Sequence, residues 1–274
     1  MVHFTFALLQ QEGALASSSL LAGLNALRKA NMHGEDRGKF YTAFFQLSIG
    51  FERLMKLVII INHMVNNDYK PMTDEELRKN YGHKIKKLYK SCQEISIDLG
   101  LEKLEFFDEE SIEWEMIHFL HEFALSSRYY NLSKLSDSHK NDDPMAEWWK
   151  IINTILLTDV SVKKRQKIEN ETLKACDDFY GNTFTHMRGM NGELLTTFDA
   201  IAGHRLVEAA APYCVWHLHR ILEPFYRIVS TICDAAHEQE RIRGESFPVI
   251  PYMEEFFTFL LHDRSSVLRK KSWS

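Results

Sequence analysis

Phe44-Phe45-Gln46-Leu47-Ser48-Ile49-Gly50-Phe51-Glu52-Arg53-Leu54-Met55-Lys56, continued by the wholly apolar run Leu57 to Ile61, is the stretch on which the fold turns. Phe44, Leu47, Phe51, Leu54, Val58 and Ile61 recur at helical spacing. Residues 57 to 61 are apolar all round, so the pattern predicts a helix over about 39–66 in the middle of a bundle. Glu52, Arg53 and Lys56 interrupt the apolar stretch 43–65, which argues for a core helix over a membrane span.

Working outward, Leu20, Leu21, Leu24 and Leu27 predict a first helix over 11–31, closed by a break at Gly34 to Gly38. A turn at Asn66 to Pro71 precedes Thr73-Asp74-Glu75-Glu76, a capping box that starts a short helix ending near Gly82. Further helices are predicted over 83–97 and 109–126. Residues 133 to 143 are polar and linker-like. Asp143-Pro144 is a good helix start, here for a helix over 145–180. Residues 181 to 203 are mixed, 204 to 241 are helical with breaks near Pro212 and Pro224, and a last helix covers 252–263 before a basic tail. Only 6 Pro and 12 Gly occur, too few for the turns of a sandwich or barrel. The fold class is therefore all-α, divided as 1–135 and 136–274, the second part either a separate lobe or packed on the first as one domain.

The net charge is −5, so general electrostatic attraction to nucleic acid is excluded and any such contact must use a local patch. Cys92, Cys176, Cys214 and Cys233 form no C-x-x-C pair and fit no zinc spacing, as expected of reduced thiols. Met1-Val2-His3-Phe4 lacks a basic segment followed by an apolar core, so no signal peptide and a cytoplasmic location are expected. No Gly-rich phosphate loop, G-x-S-x-G or H-E-x-x-H occurs, which leaves an NTPase, a serine hydrolase and a zincin without support.

The densest chemistry lies in Arg78-Lys79-Asn80-Tyr81-Gly82-His83-Lys84-Ile85-Lys86-Lys87-Leu88-Tyr89-Lys90. An Arg and a His held together can cleave RNA without a metal. The guanidinium pairs with phosphate and stabilises the phosphorane. The imidazole moves a proton at the 2′-hydroxyl or the leaving 5′-oxygen. The spacing alone says little: with 13 His in the chain, about two Arg–His pairs this far apart are expected by chance. Two occur, Arg78–His83 and Arg28–His33. The bland alternative is a solvated basic helix face.

The order of parts resembles the HEPN family (higher eukaryotes and prokaryotes nucleotide-binding domain) over roughly residues 10–135. The likeness rests on the long apolar helix bearing Glu52, the Arg78–His83 motif behind it, the run Gly82 to Leu88, and Ser127-Arg128-Tyr129-Tyr130. It implies a HEPN-like helical bundle with additional C-terminal helices. It also implies a metal-independent endoribonuclease of the toxin or phage-defence kind, acting as a homodimer whose two Arg/His pairs face one RNA cleft. An antitoxin or regulatory protein would be a further partner, with no cofactor. By position, Arg78 is the phosphate-binding Arg, His83 the acid–base His and Glu52 the supporting acid, with Lys79, Asn80, Lys84, Lys87 and Arg128 as RNA contacts. Lys79 departs from the family pattern, in which the residue after the Arg is often uncharged or acidic. A non-catalytic module of the same fold, binding RNA or a protein partner, is the alternative.

Other constellations are weaker. Glu52 and Lys56 are an i,i+4 pair that also reads as plain helix stabilisation. Glu115, His118 and His121 share a helix, but a di-iron bundle needs a second Glu-x-x-His on another helix. His217 and His219 are two apart and face different ways. Residues 163–167 and 269–271 are short basic clusters of the sort that coat a surface or extend an RNA-binding one.

Overall fold

The fold follows a computed structural model that describes residues 3–32, 34–136, 142–178, 183 and 185–274. It is all-α; among the described residues the sole β feature is one bridge between Arg188 and Leu194. The helices are α1 (Phe4–Lys29), α2 (Gly38–Asn66), α3 (Asp74–Asn80), α4 (Ile85–Asp98), α5 (Ile112–Leu125), α6 (Tyr130–Leu135), α7 (Pro144–Thr158), α8 (Val162–Asp178), α9 (Thr197–Arg243) and α10 (Arg264–Arg269). Short 3-10 turns lie at Gly34–Arg37 and Ser127–Tyr129.

The helix read from the apolar stripe, α2, lies at the centre. Phe44, Leu47, Phe51, Leu54, Val58 and Ile61 are all buried, and α1, α4, α5 and α9 pack around them. The closest pairing is α1 with α2, antiparallel across two glycines. Leu47 seats against Gly23, and Leu20 against Gly50, where an added Cβ would come within 2.9 Å of the Leu20 backbone nitrogen. Phe44 then meets Phe119 of α5 edge-on at 4.6 Å and Trp148 of α7 at 5.2 Å. Residues on both sides of position 135 join this one core, which runs from Leu9 to Trp273.

Several boundaries differ from the expected ones. α1 begins at Phe4, and α4 at Ile85, leaving His83 in the turn before it. The helix expected over 145–180 is two, because Asp159 closes α7 and Ser161 caps α8 through the Lys164 N–H. The breaks expected at Pro212 and Pro224 do not end α9, which continues for 47 residues, about 70 Å. Each proline costs a backbone hydrogen bond. Burial on both sides, from Val207 to Cys214 and from Leu218 to Val229, offsets the loss. The last expected helix is 3-10 over Met253–Leu261, interrupted by non-helical Phe257, before α10. Of the linker expected over 133–143, residues 137–141 lie outside the described ones.

The chain end is fastened rather than loose. Asn25 of α1 donates to the Trp273 carbonyl at 2.8 Å and accepts from the Trp273 N–H at 2.7 Å. Arg28 donates to the Lys270 carbonyl, and Trp273 is buried. Among the described residues no helix is long and apolar enough to cross a membrane.

Gly50→Ala should lower the free energy of unfolding by about 2 kcal/mol, because the new methyl meets backbone and forces α1 from α2. Urea denaturation checks it; an unchanged midpoint would mean the helices are not in close contact there.

Candidate active site

Glu52 lies on the outward stripe of α2, one face round from the buried one. The chain returns to it through the turn after α3. Thr73 and Glu76 cap that helix reciprocally, as expected. At its end the N–H groups of Tyr81 and Gly82 both donate to the Leu77 carbonyl. Gly82 takes φ +51°, a left-handed conformation that glycine adopts without strain. The turn closes with Lys84 N–H on the Tyr81 carbonyl, and buried Ile85 pins the start of α4.

This places His83 against Glu52. His83 Nδ1 is 2.9 Å from one Glu52 oxygen and 3.1 Å from the other. Lys56 donates to the same carboxylate at 2.7 Å. The Glu52 side chain is 16% exposed and the His83 side chain 61%, so the carboxylate is seated and the imidazole projects. Nε2 has no partner among the described residues. A carboxylate on Nδ1 fixes the tautomer with its proton there and leaves Nε2 to accept or deliver a proton.

Arg78 does not join them. It sits in the last turn of α3 and pairs with Asp74 at 3.2 Å, its side chain 76% exposed. Lys79, Asn80, Lys84 and Lys87 are exposed around the same turn, Lys87 with its ammonium 5.6 Å from the centre of the Tyr81 ring. Arg128 is half-buried in the 3-10 turn after α5, its guanidinium 5.0 Å from the Tyr129 ring. Lys86, which sequence reasoning left out, reaches His118 Nδ1 at 3.2 Å. Burial lowers the pKa of His121; Glu122 opposes the shift and Lys86 adds to it.

Glu115 and His118 line a cleft on the α5–α7 side. Among the described residues no three His, Cys, Asp or Glu side chains are grouped to hold a metal. Of the rival pair, Arg28 is engaged with the C-terminal tail, and His33 lies outside the described residues. Cys92, Cys214 and Cys233 are buried, and burial pushes the last two thiols up to about 12, out of nucleophile range.

The most connected polar group was not legible as a unit in the sequence, where His217 was weighed only beside His219. His217 of α9 places Nδ1 2.6 Å from Glu113 of α5 and Nε2 3.2 Å from Asp159 at the end of α7. Arg220, one turn on, bonds Glu113 and, at 2.8 Å, Glu105, with its guanidinium over the Phe107 ring. Glu113 is 4% exposed. Burial alone would raise its pKa; the hydrogen bond and charge of His217, with Arg220, hold it below the usual carboxylate range. The partners are 104 and 58 residues apart, so no spacing announces them. The one signal was an acid on the apolar face of α5, beside Met116, Ile117 and Leu120.

Comparison with family models, with curated proteins and with solved structures gives no match.

Two outcomes follow for stability. His217→Ala leaves Glu113 and Asp159 short of their shared partner and should cost about 3 kcal/mol by denaturant titration. His219 is fully buried, with Nε2 toward the Phe259 carbonyl, and burial pulls its pKa down to about 4. The unfolded chain protonates that ring below about pH 6.5. It therefore binds more protons than the folded chain between 6.5 and 4, and stability should fall by up to roughly 3 kcal/mol across that window. His219→Phe should flatten the fall; an unaltered slope would show that another group causes it.

Proposed function

We propose that the chain is a metal-independent endoribonuclease of the HEPN type, with His83 as the proton-transfer group and Glu52 as the residue that orients it. The single observation carrying this reading is the Glu52–His83 contact, an exposed imidazole held by a seated carboxylate from a helix 31 residues away. Its free Nε2 takes the proton of a 2′-hydroxyl as that oxygen attacks the neighbouring phosphorus, or returns a proton to the departing 5′-oxygen. The products are a 2′,3′-cyclic phosphate and a 5′-hydroxyl. Lys84 and Lys87 supply charge for the phosphate backbone, and Arg78 exchanges its exposed, weak pairing with Asp74 for a phosphate oxygen. A second copy across a two-fold axis would bring a second His83 for the complementary proton step. A toxin or defence role, with a regulatory partner, belongs to the same proposal.

A second reading, an RNA- or protein-binding module without catalysis, is favoured by the orientation of Arg78, which faces Asp74 and not His83.

RNA cleavage in excess chelator tests the pair. Wild type should produce cyclic-phosphate ends, His83→Ala should lower the rate about 10²–10⁴-fold, and Arg78→Ala should also lower it. Glu52→Gln should lower the rate, since an amide no longer holds the imidazole in one tautomer and orientation. Binding of RNA by wild type with no cleavage would overturn the first reading in favour of the second.

A further inference from the structure

The chain between the end of α2 and His83 is fixed at both ends and lightly held in between. At its root, Asp68 and Tyr69 take φ +51° and +60°, the only positive values at non-glycine positions among the described residues. An aromatic residue rarely adopts that conformation, and it persists only where neighbours enforce it. Here α9 enforces it. The Tyr69 hydroxyl donates to the Ala236 carbonyl at 2.7 Å. Arg243 donates to Asp68 at 2.9 Å, with its guanidinium 5.2 Å from the centre of the Tyr69 ring. At the far end His83 is held on Glu52, and Ile85 is buried.

α3 is strung between these points. None of its seven residues is buried, although Met72 before it and Tyr81 after it pack against the core. A helix this short has little stability of its own, and apolar burial is what normally fixes one in place. Its fastenings are local: the reciprocal cap of Thr73 and Glu76, and the exposed pair of Arg78 with Asp74. Gly82 follows in the left-handed region, and a Cβ there would meet only the Arg78 carbonyl, at 3.5 Å. The space beside that turn is open. α6 also buries nothing, but no left-handed turn adjoins it among the described residues.

We infer that α3 is a movable arm, rooted on α9 at Tyr69 and hinged at Gly82, that turns Arg78 from Asp74 toward a phosphate held beside His83. Its ligand rests on the nuclease reading; its motion rests on packing alone. The arm accounts for the feature at odds with that reading, an Arg that faces its own helix while His83 projects into solvent. A ligand shifts such an equilibrium only through contacts it makes in one state and not the other. The bond from Arg78 to phosphate is that contact, and a few turn residues absorb the change.

Hydrogen exchange of the full chain reads the motion, with a 2′-O-methylated oligonucleotide, which cannot be cleaved by 2′-hydroxyl attack, as the probe. In the free chain, amides of residues 77–82 should exchange at least about ten-fold faster than those of residues 88–96 in α4. Saturating oligonucleotide should slow the first set about ten-fold and leave the second unchanged. Arg78→Gln should abolish that slowing while Lys84 and Lys87 keep the oligonucleotide bound. Amides of α3 that exchange as slowly as those of α4 in the free chain would overturn the arm, as would equal slowing in Arg78→Gln. Oligonucleotide bound with α3 unaltered would mean that the Arg78 side chain swings alone, which ends the arm and leaves the nuclease reading standing. No binding at any concentration would defeat the nuclease reading, and the arm with it.

Discussion

The pairing of α1 with α2 sets the positions of everything else. Two glycines let the helix backbones approach closely, with Leu20 and Leu47 seated where side chains would otherwise stand. That leaves α2 free to bury the rest of its apolar stripe against α4, α5 and α9, and to turn its remaining face outward. The outward face carries Glu52. A core helix that is rigid because it is packed on nearly every side is a good mount for a group that must hold an imidazole in one orientation.

The second half of the chain is fixed to this core by different means. Apolar packing of α9 supplies most of the contact, but direction comes from the charged group at Glu113, His217, Asp159 and Arg220. Burying charges is expensive, and a buried ionic group is poor proof of added stability. It does require that α5, the end of α7 and α9 meet in one arrangement, since any other leaves carboxylates unpaired. The reciprocal hydrogen bonds between Asn25 and Trp273 do the same for the chain's last residues, tying them to the first helix. His219, packed between Trp216 and Trp273, lies under that tail.

The sequence by itself determined the all-α class, the course of α2 and the cap at Thr73, because each depends on periodicity or on residues three or four apart. It also drew attention to Glu52, His83 and the lysines about them, since they cluster along the chain. It missed the division between α7 and α8, where Asp159 serves both a helix end and a distant histidine. It placed breaks in α9 at prolines that packing on both sides overrides. Only the tertiary structure set His83 on Glu52 while leaving Arg78 with Asp74, because a left-handed turn at Gly82 decides which of two neighbouring side chains comes back to α2. Only the tertiary structure, too, assembled His217 with Glu113 and Asp159. Those facts depend on which residues remote in sequence end up within bonding distance, and local spacing carries no record of that.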